Sequence, residues 1–348
     1  MNSYKLILII LIVFLKTGNV LSNTSIFHVN NIAVEKKGKI SNEELANQAI
    51  KKGFNELITK ILLEEDKKKL NQLQLSEVKE LVTYYQVVNK INDNIESKKV
   101  NFNITFDKDK FHDLFYKRGI SYSEIENKEL FILPILKKGD QIFIYNKNFF
   151  YDEWNDSDNL ELIEFILPLE NIEIIQNVNK NKDNLLNLEL SYLFKEYSGK
   201  NIALVLIEDN NAKEEKIYFK TEILGKNIVK NIIIKRVNSS EEIFYKKIIS
   251  EIKYELTNLI KSQNLIDIRV PSFLNAQVQV TKKSNLVELN SRLKKIDSIE
   301  NIYIQEFNNN TIFLKIKYLG KIDRIIRQLR KQNIILSLIG EEWSIKII

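Results

Sequence analysis

Over the last eighty residues the spacing of apolar side chains keeps switching between the strand period of two and the helix period of three to four. Ala276-Gln277-Val278-Gln279-Val280 alternates as a strand, and Leu286 to Leu293 carries a helical stripe. Ile302–Phe307 and Ile312–Tyr318 alternate again, joined by Asn308-Asn309-Asn310 and ended by Gly320. Ile322, Ile325, Ile326 and Leu329 return to helical spacing, and Ile334–Ile339 closes the run. Each period admits one type of element. The order β-α-β-β-α-β predicts a ferredoxin-like split unit over residues 266–348. That fold hosts many unrelated functions and licenses none by itself.

The same reading gives two earlier modules, so the fold class expected is α+β / α/β multi-module. In residues 23–125 a strand around Ile26–Val34 precedes Ser41-Asn42-Glu43-Glu44, whose spacing lets Ser41 cap a helix. Leu45, Ala49, Phe54, Leu57 and Ile61 mark that helix, and small Ala49 and Gly53 let it lie close on a sheet. Strands Val82–Val88 and Val100–Phe106 and a short helix at Phe111–Phe115 complete a β-α-β-β-α unit. Residues 126–265 read as a central α/β domain. Its strands are Leu130–Leu136, Ile166–Leu169, Ile202–Ile207, Glu215–Leu224 and Ile228–Val237. Its helices are Leu185–Tyr197 and a long one opened by the Ser239/Glu242 capping-box spacing.

The chain begins MNSYKLILIILIVFLKTGNVLSNTS. Lys5 precedes an unbroken apolar run from Leu6 to Leu15, about half the ~20 residues a membrane-spanning helix needs. That is the length of a signal-peptide core, and the small residues ahead of Asn23 place cleavage after Ser22, making residues 1–22 the leader. The expected location is the periplasm. The absence of cysteine excludes disulfides and a lipid-modified cysteine, so stability must come from burial alone. Hydrophobic residues, 44% of the chain, are enough for that. The net charge of +6 falls by two when Lys5 and Lys16 leave with the leader, too small a balance to indicate nucleic-acid binding.

Composition and motif search remove most chemistry. Nine glycines without a phosphate-loop pattern leave no nucleotide cradle. With no Cys and only His28 and His112, the chain lacks the three or four nitrogen or sulfur ligands that structural zinc sites usually take. No serine sits in the G-x-S-x-G turn of a nucleophile elbow. Asp152, Glu153, Asp156 and Asp158 form an acidic loop that lacks the glycine and distant glutamate of a calcium-binding hand, and it reads as solvated. We therefore assign no catalytic, cofactor-binding or metal-binding residue, and no cofactor. The one local signal is basic. Arg324, Arg327 and Lys331 share a helix face flanked by Lys321 and Arg330, a candidate contact for an acidic partner or anionic lipid. A solvated face is the plain alternative.

Several phrases in order carry a resemblance: ANQAIKKGFNELITKIL, VNFNITFDKDKFHDLFYKRGISY, LFILPIL, DEWND before ILPLENIEII, EYSGKNIALVLIE, IKYLGKIDRIIRQLRKQNIILS and a final Trp343. Together they resemble the exported bacterial family catalogued as domain of unknown function 2066, over almost the whole mature chain. Around Phe149–Trp154 Phe and Tyr stand where that family tends to carry tryptophan and proline, and the tryptophan expected near Glu251–Ile260 is absent. A helix, a turn and IALVLIE followed by two strands is similar to the α/β domain of periplasmic assembly factors, such as the amino-terminal domain of the translocation protein TolB and the curli-secretion lipoproteins. The resemblance implies an envelope role and carries over no catalytic residue. Three readings stay open: a non-catalytic interaction or assembly factor, a hydrolase acting on cell-wall or sugar substrates, and a small-ligand binding protein.

Overall fold

The structure, a computed structural model, describes residues 26–36, 40–90, 98–125, 127–155, 162–210, 212–236, 240–279, 283–308, 311–340 and 342–348. The leader with its cleavage site, Asp156, Asp158, Val237, Ser239 and Val280 lie outside them. The described chain is mixed α+β with several sheets and ten α-helices. It groups into two compact units, one holding the residues up to Ser121 together with Ile266–Ile348, the other Tyr122–Leu265.

In the first unit β1 (His28–Lys36), β2 (Val82–Lys90) and β3 (Lys98–Phe106) form an antiparallel sheet in the order β1-β3-β2. α1 (Asn42–Ile61) starts at Ser41, whose hydroxyl accepts the Glu44 N–H at 3.1 Å, and buries the stripe read from the sequence. α2 (Glu64–Lys68), α3 (Leu75–Glu80) and α4 (Lys108–Arg118) follow. The unit's second sheet holds β12 (Ser272–Gln279), β13 (Ile299–Asn308), β14 (Thr311–Tyr318), β15 (Ile334–Ile339) and β16 (Glu342–Ile347), in the order β13-β14-β12-β16-β15. α9 (Lys283–Leu293) and α10 (Ile322–Lys331) accompany it. A ferredoxin-like unit would set Ile334–Ile339 beside the first strand. Here β16 takes that place, parallel to β12 with Val278 against Ile345, and β15 is displaced to the edge. The last residues thus add a fifth strand that buries Ile345.

The second unit opens with the short strand β4 (Tyr122–Ser123) and ends on β11 (Leu265–Ile266), which crosses into the first. Between them lie β5 (Glu129–Lys138), β6 (Gln141–Phe143), β7 (Glu164–Ile166), β8 (Ile202–Asp209), β9 (Glu214–Ile223) and β10 (Lys226–Lys235). They join in the order β10-β9-β8-β5-β6, with β7 also on β5. β5 runs parallel to both β8 and β7. Both faces of β5 and β8 are covered, which is why they read as continuous apolar runs. Leu130, Ile132, Ala203, Val205 and Ile207 pack toward α8 (Glu241–Gln263) and toward Phe150 of α5 (Phe149–Asp152). Phe131, Leu133, Ile135, Leu204 and Leu206 face α6 (Ile172–Lys180) and α7 (Leu190–Leu193). The result is three layers.

Three sequence expectations change here. The helix over Leu185–Tyr197 is broken into a 3-10 turn at Leu185–Asn187, α7 and a second 3-10 turn at Lys195–Tyr197. Leu185, Leu188, Leu190, Leu193 and Phe194 are all buried. At 100° per residue they span far more than one helix stripe, so no straight helix buries them together. The strand at Ile166–Leu169 ends at Ile166. The long helix is capped by Ser240, whose hydroxyl accepts the Ile243 N–H at 3.4 Å.

Candidate functional site

Lys138 and Asp209 end the two central parallel strands and face each other in register. The carboxyl ends of parallel strands are where open α/β sheets bind ligands. Asp209 is buried, and its two oxygens are engaged on different sides: Arg236 donates to Oδ1 at 2.8 Å, and the Tyr245 hydroxyl donates to Oδ2. Arg236 also reaches buried Glu215 at 3.2 Å and lies over the Phe244 ring. Glu215 accepts the N–H groups of Asn210 and Ala212, both at 3.1 Å, fixing the turn after β8. Lys138 is 3.8 Å from Asp209, pairs with Glu241 and sits over the Tyr245 ring.

The electrostatics follow from burial. Desolvation raises the Glu215 carboxyl above its usual range; the Asn210 N–H and Arg236 oppose the rise, and neighbouring Asp209 adds to it. Tyr245 is pushed far up by burial and by its bond to Asp209, so it remains a donor. Glu241 is held low by its hydrogen bond from Lys138. A cleft of about 590 Å³ lies beside this cluster, lined by Lys138, Lys147, Phe149, Glu241 and Tyr245 among others. Asp209 and Glu215 do not line it. Two close acids with one raised pKa are present, as acid–base chemistry requires, but they are sealed behind Arg236 and Tyr245 and hold a turn.

A larger groove of about 870 Å³ runs along the α6–α7 layer. Leu169 is 79% exposed, Ile172 70% and Tyr192 48%, all lining it. Glu173, Glu189 and Glu196 also line it, against the single cation Lys195. One wall is fixed by the Tyr151 hydroxyl donating to the Pro168 carbonyl at 2.9 Å and by the Asn171 side chain accepting the Glu173 N–H at 2.8 Å. The other begins at Glu189, and Lys220 anchors the segment leading into it by donating to the carbonyls of Leu186 at 3.1 Å and Leu188 at 2.8 Å. Burial pushes the nearby Tyr145 hydroxyl up to about 12.

The residues singled out from the sequence are placed as follows. His28 bonds Thr105, directly across the β1–β3 ladder, at 2.6 Å. His112 is a half-buried ring beside Phe27, and burial lowers its pKa. Among the described residues no three His, Asp or Glu side chains converge as a metal site. Lys321, just ahead of α10, and Arg327, Arg330 and Lys331 on it are exposed, but Arg324 is only 6% exposed. Of the five residues of the candidate contact patch, four are therefore on the surface, because the Arg324 stem packs back along the chain near Gly320. Among the described residues no helix is long and apolar enough to cross a membrane.

Sequence reasoning missed both the strand-end cluster and the groove. The first had a signal: the buried runs LFILPIL and IALVLI each end in charges, Lys137-Lys138 and Glu208-Asp209. The second had one too: Ile172 stands two residues before buried Ile174, off the Ile174/Val178 stripe. No model of a known family matches the chain, and no curated protein matches it. One solved structure, described as the crystal structure of an uncharacterized protein, is similar over 40% of this chain and 94% of its own, with 11% identity and a TM-score of 0.18. At that level the likeness fixes neither fold nor role.

Proposed function

We propose that the chain is an exported periplasmic protein that works by binding other proteins, as an interaction or assembly factor of the cell envelope. The observation that carries this reading is the groove with Leu169, Ile172 and Tyr192 exposed along it. Contiguous apolar surface held open in this way marks binding sites. The signal-peptide pattern of residues 1–22 and the resemblance to domain of unknown function 2066 support an envelope location. In this reading the modules 23–125, 126–265 and 266–348 are a β-α-β-β-α unit, an α/β unit and an extended ferredoxin-like unit, and partner recognition belongs to the central one. Lys321, Arg327, Arg330 and Lys331 add a basic face for an acidic surface or anionic lipid.

The hydrolase reading finds some support in the Asp209/Glu215 pair and the cleft beside it. It is weaker, because both carboxylates are buried and engaged. The test is cross-linking in intact cells, followed by capture and mass spectrometry, with wild type compared against Leu169→Ser/Ile172→Ser. A reproducible envelope partner lost in the variant supports the reading, and no partner despite good recovery removes it. The same spectra read the mature terminus: Asn23 means a cleaved leader, Met1 an anchor.

A further inference from the structure

We infer that the groove along α6 and α7 takes a basic amphipathic segment of a partner protein, a stretch in which Leu or Ile side chains are interspersed with Lys or Arg. This rests on the interaction reading above and names the partner's chemistry. The groove offers two things at once. Its apolar contribution is Leu169, Ile172 and Tyr192, exposed where nothing in the fold requires them. Its charge is Glu173, Glu189 and Glu196 against Lys195. Among the described residues none of these three carboxylates is in an ion pair, which leaves their charge available to a ligand.

The acidity is not an echo of composition, since the chain carries 52 Lys and Arg against 46 Asp and Glu. The local acidic lining draws in a cationic segment. Charge complementarity of this kind acts on encounter rate and specificity, while the apolar contacts set the residence time. The groove is also preformed. Tyr151 fixes the Pro168 wall, and Lys220 anchors the Leu186–Leu188 segment just ahead of the Glu189 wall, so little backbone has to be ordered on binding. Its volume lies at the upper end of ordinary binding pockets, enough for several side chains of a peptide.

The test uses the chain as purified from cells and a fluorescein-labelled dodecapeptide of Leu interspersed with Lys and Arg, followed by fluorescence anisotropy. A second dodecapeptide carries Glu in place of every Lys and Arg. Three variants are compared: Glu189→Lys/Glu196→Lys, Leu169→Ser/Ile172→Ser, and the control Glu43→Lys/Glu65→Lys. The control makes the same charge change on exposed residues of α1 and α2, and circular dichroism confirms that each variant is folded. The basic peptide is expected to bind wild type and to weaken several-fold between 50 and 300 mM salt, as screening shortens to ~6 Å. Each groove variant is expected to lose ten-fold or more, and the control less than two-fold.

Equal losses in groove and control variants would overturn the inference, leaving only diffuse attraction. Equal binding of the acidic peptide would overturn it as well. So would concentration-dependent dimerisation abolished by the groove substitutions, which would make a second copy the occupant. If cellular capture depends on Leu169 and Ile172 while the basic peptide fails to bind, the partner chemistry is wrong and the interaction reading stands. If the peptide binds as expected but no cellular partner is captured, the groove's chemistry holds and the envelope reading falls.

Discussion

Asn148 donates its side-chain amide to the carbonyl of Pro134 at 2.9 Å, from a wholly buried position. This explains how a proline stands in the middle of a central strand. On the side of β5 away from β8, β7 pairs with Glu129–Phe131 and β6 with Leu136–Lys138. Pro134 falls in the gap between them. The nitrogen and carbonyl of a strand residue point the same way, so the missing N–H faces the gap and the β5–β8 ladder loses nothing. Asn148 fills the gap, also donates to Ile144 O at 2.7 Å, and accepts the Phe150 N–H to start α5. We expect Asn148→Ala to cost about 3 kcal/mol in urea unfolding, because it leaves buried carbonyls without a donor. Asn148→Asp should be no better, since it sets an acceptor against them. A loss under ~0.5 kcal/mol would show that water fills the gap.

The Asp209–Arg236–Glu215 cluster makes stability depend on pH in a defined direction. Burial holds the folded-state Glu215 carboxyl above its ordinary 4.5. The folded chain therefore keeps this proton to a higher pH than the unfolded chain. The contribution is fully present below about 4.5 and is lost as pH rises through the folded-state value. Glu215→Gln removes it, so wild type minus variant stability should decline from pH 4.5 toward neutral. His112 has the opposite sign. Its pKa is lowered from 6.5 by burial, then by Lys108, so its contribution is lost as pH falls below that value. The same subtraction with His112→Gln should rise with pH. A flat difference in either case would mean that the group is solvated in the folded state.

What the sequence made legible was local period; what it hid was width and neighbourhood. Ala49, Gly53, Phe54 and Leu57 announced both the helix and the face it buries, because one stripe met one sheet. Leu185–Phe194 misled because its apolar residues serve a core wrapped around them, and wide burial looks helical at short range. The split-unit pattern is complete at Ile339 and assigns no element to Trp343–Ile345; parallel insertion beside β12 is a long-range event that no local pattern marks. Asp209 and Glu215 are six residues apart and Arg236 twenty-one further on. Only the β8–β9–β10 meander brings them together.

Close approach of α1 to its sheet is set at Gly53. A Cβ there would lie 2.8 Å from the Ile104 terminal methyl, itself fully buried. Alanine gains about 1 kcal/mol of helix propensity, and overpacking at such a site costs about 1–3 kcal/mol. We expect Gly53→Ala to destabilise by about 1 kcal/mol in thermal or urea melts. Ile104→Val removes the offending methyl, so in that background the same substitution should become stabilising. A double-mutant cycle without coupling would place the clash elsewhere.

Arg324 must be separated from its neighbours on α10. It is buried, while Arg327 and Arg330 are exposed, although a helical wheel groups Arg324 with Arg327. Arg324→Glu puts a carboxylate where a cation is packed and should cost about 3 kcal/mol or more. Arg324→Met keeps most of the stem volume and should fall well short of that. Arg327→Glu and Arg330→Glu should stay within ~0.5 kcal/mol, as exposed substitutions do. The consequence concerns function. An Arg324/Arg327 double reversal would lower binding to anionic vesicles simply by unfolding the unit. Arg327→Glu/Arg330→Glu leaves the fold intact, so loss of co-sedimentation with phosphatidylglycerol vesicles in that variant would assign the basic face to a membrane surface. Unchanged co-sedimentation would return Lys321, Arg327, Arg330 and Lys331 to the role of a solvated helix face.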